Sequence, residues 1–310
     1  MASETEAAPG QDGGAPLWWA SRLGSLAKSS AAVGEAVMIR HSLFSIPFAL
    51  AAVLLETQGK PPAAKLFWIL AAAFGARNSA NAINRLVDEA IDARNPRTAS
   101  RPLNTGKVSR LQLWVFAVSM LALLVLGAAM LAPICLYLLP LAGFLVFGYS
   151  YTKRYTWLCH LWLGMTCSAA VMGAFLGISG SFAFRYFPLT GAVALWVCGF
   201  DIIYAIQDIE FDRAEGLKSV PARFGAHGAR IIAALCHLGT LVGLASVPLF
   251  WSEARIGFWI GYGVLAVLLA AEHAVALGGT ERHIRIAAYG INEVLPLAFL
   301  AGVALDLYLI

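Results

Sequence analysis

Long apolar segments are the feature that most constrains this chain. A helix of about 18 or more apolar residues is long enough to cross the hydrocarbon core of a bilayer. Only 13% of the 310 residues are charged, about half of the roughly 25% that is usual in soluble domains. The sequence therefore predicts an all-α membrane protein with nine transmembrane helices, over residues 36–56, 64–86, 111–131, 133–151, 157–179, 186–206, 228–250, 256–277 and 286–309.

The basic residues predict the orientation of these helices. If the N-terminus is cytoplasmic, 16 of the 22 lysine and arginine residues fall on the cytoplasmic face. Short cytoplasmic loops of membrane proteins carry an excess of Lys and Arg. We therefore expect a cytoplasmic N-terminus and the opposite location for the C-terminus.

The first 33 residues have a different composition. Residues 1–16 are polar and small, which predicts disorder, and the segment that follows carries Trp18 and Trp19 at the expected level of the lipid headgroups. Residues 1–16 lack the basic and apolar regions of a cleaved signal peptide. We expect a leader over residues 1–33 and one helical domain over residues 34–310, built from two related units.

Aspartate is costly inside a bilayer, so its positions are informative. Five of the seven aspartates fall in two short windows near the ends of the second and sixth apolar segments. In the first window, polar residues recur every three or four positions, which places them on one stripe of a helix. These residues are Arg77, Asn81, Asn84, Asp88 and Asp92.

The second window repeats this arrangement. Asp201, Tyr204, Asp208 and Asp212 also recur at helical spacing, with Gln207 beside them. Asp88 and Asp208 are 120 residues apart, as are Asp92 and Asp212. A basic loop follows each window. This spacing indicates two related helical units whose polar stripes face each other across a central cavity.

The residue types in the two stripes indicate a particular chemistry. Carboxylate and amide oxygens suit Mg²⁺, which usually takes one or two carboxylates together with substrate phosphate oxygens. Nearby Lys and Arg side chains would neutralise the charge of a departing diphosphate. The sequence predicts a membrane enzyme that ionises a lipid diphosphate. A buried aspartate can instead serve only helix packing, and we expect packing or interfacial roles for Asp306 and Glu293.

At these residues the chain resembles the UbiA superfamily of intramembrane prenyltransferases. That family carries an N-x3-D-x3-D motif, here Asn84, Asp88 and Asp92, and a D-x2-Y-x3-D-x3-D motif, here the second stripe. The runs RNPRTASRPL, GYSYTKRYT and GLKSVPARFG are similar as well. The resemblance extends from about residue 40 to the C-terminus.

The resemblance implies nine helices around a cavity that opens sideways to lipid, in a bacterial cytoplasmic (inner) membrane. It implies Mg²⁺-dependent transfer of a polyprenyl group from its diphosphate to a small aromatic acid, with no nucleic-acid partner. The implied metal ligands are Asn84, Asp88, Asp92, Asp208 and Asp212, and the implied catalytic residues are Asp201, Tyr204, Asp88 and Asp208. The implied substrate-binding residues are Arg77, Asn81, Arg97, Arg101, Lys153, Arg154, Gln207, Lys218 and Arg223. For the basic residues of the loops, anchoring at the membrane surface is an equal alternative.

The acceptor stays open between two acids. A 4-hydroxybenzoate-type acceptor carries a carboxylate that Arg77 or Arg154 could bind. Two other runs, HSLFSIPFAL and EFDRAEGLKSVPARFG, are more similar to the menaquinone branch of the family. That similarity implies a dihydroxynaphthoate-type acid as the acceptor. Haem, chlorophyll or homogentisate prenylation is a further alternative. A secondary transporter is the alternative from another class, but its sites usually lie at Gly/Pro breaks, and residues 78–94 contain neither.

Overall fold

The computed structural model describes residues 30–38 and 46–309. All regular structure in these two ranges is helical. Most of the predicted leader, including Trp18 and Trp19, lies outside the described residues. The predicted boundary between residues 33 and 34 falls within a short helix over residues 30–36.

The remaining helices follow one another along the chain, with a long loop over residues 93–109. They are α1 (Ile46–Thr57), α2 (Ala63–Asp92), α3 (Arg110–Ala129), α4 (Pro133–Tyr137), α5 (Leu139–Tyr155), α6 (Cys159–Ser179), α7 (Phe187–Ala205), α8 (Ile209–Ala214), α9 (Val220–Ala245), α10 (Ile256–Ala276), α11 (Glu281–Arg285) and α12 (Asn292–Tyr308). A π-helical segment, Ile286–Ile291, joins α11 to α12.

Six helical stretches of the described chain are long and apolar enough to cross a membrane, so the chain is a multi-pass membrane protein. They are Arg110–Ala129, Cys159–Ser179, Phe184–Ala214, Val220–Leu249, Ile256–Ala276 and Glu281–Tyr308. Each of the nine predicted segments contains helix, but α1 and α5 are shorter than this limit and α2 carries the charged stripe. The number of spans and their orientation stay predictions.

The largest core lies around α7, whose apolar residues face helices on several sides. The Phe48 ring lies 5.2 Å from Trp196 and 5.3 Å from Phe299, which joins α1, α7 and α12. Trp196 and Phe299 are fully buried. Aromatic rings at such distances add packing energy beyond their buried area. This core holds α7, and therefore the second acidic window, in a fixed position.

Polar side chains define several helix ends. Ser109 and Gln112 form a capping box at the start of α3, because each side chain bonds to the backbone of the other residue. Ser219 caps the start of α9 by accepting a bond from the Ala222 N–H. Both caps lie in the loops that follow the acidic windows, so they determine where those loops end.

Asp306 joins α12 to the start of α10. Its Oδ2 atom accepts bonds from the backbone N–H groups of Arg255 (2.6 Å) and Phe258 (2.7 Å), and its Oδ1 atom accepts one from Gly257 (2.6 Å). The first N–H groups of a helix have no partner within the helix. The Asp306 carboxylate accepts hydrogen bonds from three such N–H groups. A Cβ at position 257 would lie 2.7 Å from Asp306 Oδ1, so glycine permits this approach. The arrangement gives Asp306 a packing role, as the sequence predicted.

Replacement of Asp306 by alanine is expected to lower the stability of the protein by about 2–4 kcal/mol, because three N–H groups lose their acceptor. The measurement is denaturant-induced unfolding of the purified protein in detergent micelles. Asp306→Asn keeps one acceptor oxygen and should lose less. Equal stability of Asp306→Ala and the unchanged protein would contradict this capping role.

Candidate active site

The two acidic windows meet at one cavity, of about 230 Å³. Most of the residues that the sequence singled out contribute to its wall. They are Arg77, Asn81, Asn84, Asp88, Asp92, Arg97, Arg101, Lys153, Asp201, Tyr204, Asp208 and Asp212. The helical spacing of the two windows therefore brings both stripes to a shared space.

Asp88 lies at the centre of the first stripe and is 2% exposed. Its Oδ1 atom accepts a bond from Arg154 (2.8 Å), and its Oδ2 atom lies 2.6 Å from Lys153 Nζ. The Asn84 amide also donates to Oδ2, over 3.0 Å. The two cations come from the last turn of α5. A carboxylate this deeply buried requires such partners, because an unpaired buried charge is strongly destabilising.

Asp92 ends α2 and bonds to the loop that follows it. Arg101 and Arg85 both donate to its Oδ2 atom, Arg85 over 3.2 Å. The Thr98 hydroxyl donates to the Asp92 backbone carbonyl over 2.9 Å. The loop therefore folds back onto the end of the helix and brings its arginines to the cavity.

The second window departs from the continuous helix that the sequence predicted. Helix α7 ends at Ala205, and a 3₁₀ turn over Ile206–Asp208 precedes α8. Asp208 at this turn accepts two bonds from Arg97, from Nε (2.9 Å) and Nη2 (2.6 Å), and one from the Asn95 amide (3.0 Å). Residues from the loop after the first window thus bind the second window directly.

Two further contacts complete the acidic wall. The Ser219 hydroxyl donates to Asp212 Oδ2 over 2.7 Å. Asp201, which lies deeper along α7, has its Oδ2 atom 2.7 Å from Nδ1 of His160. Each of the three aspartates of the second window therefore bonds to a different segment of the chain.

Two tyrosines form an aromatic wall beside Asp201. The Tyr204 and Tyr289 rings meet edge to face, with centroids 4.9 Å apart, and Arg97 donates to the Tyr204 hydroxyl over 2.7 Å. Tyr289 belongs to the π-helical segment. The Asn292 amide donates to two carbonyls of that segment, and Trp196 donates to Asn292 Oδ1 over 2.6 Å. These bonds stabilise the irregular turn that places Tyr289 at the cavity.

An apolar channel of about 390 Å³ adjoins the polar cavity. Arg77, Asn81, Tyr149 and Leu163 line both spaces. Most of the channel wall consists of small or apolar residues of α2, α5 and α6. The combined space is charged at one end and apolar at the other, which matches a substrate with a charged head and a hydrocarbon tail.

Four predicted substrate-binding residues do not line the polar cavity. Arg154 lies behind it and bonds to Asp88, and the Gln207 amide bonds to the Tyr204 carbonyl (3.1 Å). Lys218 donates to the Tyr155 carbonyl (3.1 Å), and Arg223 lies over the Trp157 ring, 5.5 Å from its centroid. These contacts show structural partners for all four side chains.

Sequence reasoning missed several residues of the cavity wall. Asn95, His160, Ser219 and Tyr289 all bond to or pack against the acidic windows. Asn95 and Ser219 lie in the loops next to the windows, where polar residues are common. His160 stands in an apolar segment, and a buried polar residue in such a segment is a signal of function that could have found it.

Comparison with known proteins decides the family. The sequence pattern of the UbiA prenyltransferase family matches residues 45–301. The chain belongs to this family. It is therefore a prenyltransferase embedded in a membrane.

Two relatives of this UbiA prenyltransferase are bacterial proteins. A 4-hydroxybenzoate octaprenyltransferase of Xanthomonas campestris pv. campestris (strain B100) is 32% identical over 305 residues, which cover 94% of this chain and 95% of the relative. One of Xanthomonas oryzae pv. oryzae (strain PXO99A) is 34% identical over 258 residues, 82% of this chain and 84% of the relative.

Solved structures of UbiA homologues share the fold. The apo structure of a homologue from Aeropyrum pernix K1 has a TM-score of 0.78 and 32% identity, and the match covers 86% of this chain and 98% of the homologue. A homologue from Archaeoglobus fulgidus bound to GPP and Mg²⁺ has a TM-score of 0.64 and 19% identity, with 88% and 99% covered.

The side-chain oxygens at the cavity of this UbiA prenyltransferase are of the type that binds a hard divalent cation. Asn84, Asp88, Asp92, Asp208 and Asp212 present carboxylate and amide groups at one cavity. Within residues 30–38 and 46–309, no group of three His, Cys, Asp or Glu side chains is close enough to bind a metal ion unaided. Sites for Mg²⁺ usually take their remaining ligands from water and substrate phosphates. The residues therefore suit an ion that arrives with a phosphate group.

Two arginines of the loop after α2 allow a matched test of the contact between the two acidic windows. Replacement of Arg97 by alanine should lower the midpoint of thermal unfolding, because its loss leaves the partly buried Asp208 without its main partner. The measurement is unfolding in detergent, followed by intrinsic fluorescence.

Arg94 is the control, since its Nε and Nη2 groups also donate to both oxygens of one carboxylate, that of Glu215, but its side chain is 53% exposed. Exposed ion pairs contribute little, so Arg94→Ala should leave the midpoint unchanged. Equal midpoints for the two variants would show that the Arg97 contact does not hold the loops together.

Proposed function

We propose that this UbiA prenyltransferase transfers a polyprenyl group from its diphosphate to a small aromatic acid, 4-hydroxybenzoate, in quinone biosynthesis. The observation that carries the proposal is the combined cavity, with paired acidic and basic side chains at one end and an apolar channel at the other. The names of the Xanthomonas relatives support 4-hydroxybenzoate as the acceptor. A dihydroxynaphthoate-type acid of menaquinone biosynthesis is the second acceptor to test.

The diphosphate end of the substrate is assigned to the charged end of the cavity. Arg97, Arg101 and Lys153 line it and can donate charge-assisted hydrogen bonds to phosphate oxygens. In the proposal, Asn84, Asp88, Asp92, Asp208 and Asp212 hold Mg²⁺. When bound, Mg²⁺ would neutralise the diphosphate and make it a better leaving group. The homologue from Archaeoglobus fulgidus with GPP and Mg²⁺ supports this pairing of substrate and ion.

The transfer itself takes place where the two spaces meet. The bond between the allylic carbon and the diphosphate oxygen breaks, and the diphosphate leaves with the electron pair. A ring carbon of the acceptor forms the new bond to the allylic carbon and then loses its proton. Asp201 is the proposed acceptor of that proton, and Tyr204 faces the developing positive charge with its ring. Arg77 and Asn81 lie between the two spaces and can bind the acceptor carboxylate.

The topology belongs to the same proposal. We assign nine spans by adding α1, α2 and α5 to the six long apolar stretches, with the acidic windows and the N-terminus on the cytoplasmic side of a bacterial inner membrane. Helix α2 has 30 residues, which corresponds to about 45 Å. The Asn81 amide donates to the Val37 carbonyl over 2.9 Å, which supports a catalytic domain that begins near residue 34.

The proposed reaction can be tested directly with purified protein. With Mg²⁺ and labelled octaprenyl diphosphate, we expect a prenylated product from 4-hydroxybenzoate at a rate at least about tenfold above that from a dihydroxynaphthoate. A site built to hydrogen-bond one acid discriminates against an acid that leaves its polar groups unpaired. Product is measured by extraction and mass spectrometry. The opposite preference would move the enzyme to the menaquinone pathway, and no product from either acid would refute the proposed function.

Variants of the acidic windows complete this experiment. Asp88→Asn and Asp208→Asn should each lower kcat by about 10²-fold or more, because each removes a carboxylate proposed to hold the Mg²⁺ that would stabilise the departing diphosphate. Glu293→Gln is the control, since this carboxylate is exposed and lies on α12 outside the cavity wall. Full activity of the two aspartate variants at saturating Mg²⁺ would contradict the metal assignment.

The channel assignment predicts a change in the preferred chain length. Gly173 lines the channel, and a Cβ at this position would meet no atom within 4 Å. The Cβ of a phenylalanine at position 173 would therefore displace no neighbour, and we expect its ring to occupy part of the channel. We expect Gly173→Phe to lower kcat/KM for octaprenyl diphosphate by about tenfold, about 1.4 kcal/mol, and to change the value for geranyl diphosphate much less.

Gly263→Phe is the matched control for this variant. Gly263 also lies inside a helix with open space at its Cβ position, but it is exposed on α10 and outside the channel wall. It should leave the ratio of the two kcat/KM values unchanged. An unchanged ratio in Gly173→Phe as well would place the prenyl chain elsewhere.

A further inference from the structure

His160 is a buried polar residue to which the proposed reaction assigns no role. It lies at the start of α6 and is 4% exposed. Its ring bonds on both sides, with Nδ1 2.7 Å from Asp201 Oδ2 and Nε2 3.3 Å from the backbone nitrogen of Val220. Asp201 lines the cavity next to Tyr204. The histidine therefore stands directly behind the carboxylate to which we assign the ring proton.

The contact with Val220 determines which ring nitrogen carries the proton. A backbone N–H can only donate, so Nε2 of His160 must accept the Val220 bond with its lone pair. The single proton of the neutral ring then lies on Nδ1, and Nδ1–H donates to Asp201 Oδ2. A neutral imidazole whose Nε2 lone pair is occupied cannot take a proton from the acceptor. Its contribution is the direction that it gives to the Asp201 carboxylate.

The same backbone connects His160 to the second acidic window. Val220 is the first residue of α9, and its neighbour Ser219 caps that helix while donating to Asp212 Oδ2. The loop before α9 also bonds to α5, because the Lys218 N–H donates to the Lys153 carbonyl over 2.7 Å. His160 thus packs against a loop end that is held at two further points. Its ring has little freedom to turn, and the carboxylate that it contacts is held with it.

We infer that His160 is a positioning residue that orients Asp201 toward the aromatic acceptor. The Nδ1–H group holds one carboxylate oxygen and leaves the other for the acceptor at the cavity. This inference rests on the proposed function, because it assigns a partner to the group that receives the ring proton. General bases act only when they are within hydrogen-bond reach of their proton, so loss of this contact slows the chemical step.

Two substitutions at position 160 separate the donor from the rest of the ring. His160→Leu removes the donor to Asp201, whereas the amide of His160→Asn can replace Nδ1–H. We expect His160→Leu to lower kcat by about 10–100-fold, since misplacement of a catalytic group has effects of that size. His160→Asn should recover kcat to within about fivefold of the unchanged enzyme, because the orienting bond is restored. The KM for octaprenyl diphosphate should change less than about twofold in both variants, because the diphosphate contacts lie elsewhere.

Single-turnover measurements separate positioning from folding. The amplitude of product formation counts folded sites, and the rate constant reports the chemical step in those sites. His237→Leu is the matched control, since His237 is also buried (3% exposed) but lies outside the cavity wall. This control should keep the rate constant in its folded fraction. If the His160→Leu variant does not fold, the His160→Gln variant is used in its place. The glutamine amide reaches the position of Nε2 rather than Nδ1, so Asp201 again lacks its hydrogen-bond donor.

The outcomes are distinct. A reduced rate constant in His160→Leu or His160→Gln, with recovery in His160→Asn, supports the inference. A rate constant equal to that of the unchanged enzyme in the variant that lacks the donor overturns it, as does the same loss in His160→Asn. If the unchanged enzyme prenylates neither acid, the proposed function fails first, and the inference fails with it.

Discussion

Pairing of buried carboxylates is the constraint on which the active end of this protein depends. A carboxylate inside an apolar bundle is tolerated only when another group balances its charge or bonds to its oxygens. Each aspartate of the two windows meets this requirement with a partner from another segment. Asp88 bonds to Lys153 and Arg154, Asp92 to Arg85 and Arg101, Asp201 to His160, Asp208 to Asn95 and Arg97, and Asp212 to Ser219.

These bonds hold together parts of the chain that lie far apart in the sequence. Arg97 follows the first window, yet its bidentate contact is with Asp208 in the second. The loop before α9 bonds to α5 at Lys153, which in turn contacts Asp88. A change at one window therefore affects the other through short, direct contacts. The same groups that stabilise the loops are the ones to which we assign the diphosphate and its ion.

Much of the architecture and the location of the cavity followed from sequence patterns. Apolar length predicted a helical membrane protein, and helical spacing placed Asp88 and Asp208 on stripes that do face one space. The break after Ala205 was not predictable from spacing, because a 3₁₀ turn and an α-helix place polar residues at similar intervals. Arg223 shows a second limit, since a basic loop residue can stack on an aromatic ring as readily as bind a substrate.

The sequence by itself determined the family, the membrane class and the chemical character of the two windows, because hydropathy and helical period are local properties. Only the tertiary structure decided which groups pair with each carboxylate and where an apolar channel meets them. The bond between His160 and Asp201 joins residues 41 positions apart, and Tyr289 reaches the cavity only through a π-helical turn held by Asn292. Such contacts depend on how helices pack, and packing depends on side chains from the whole chain at once.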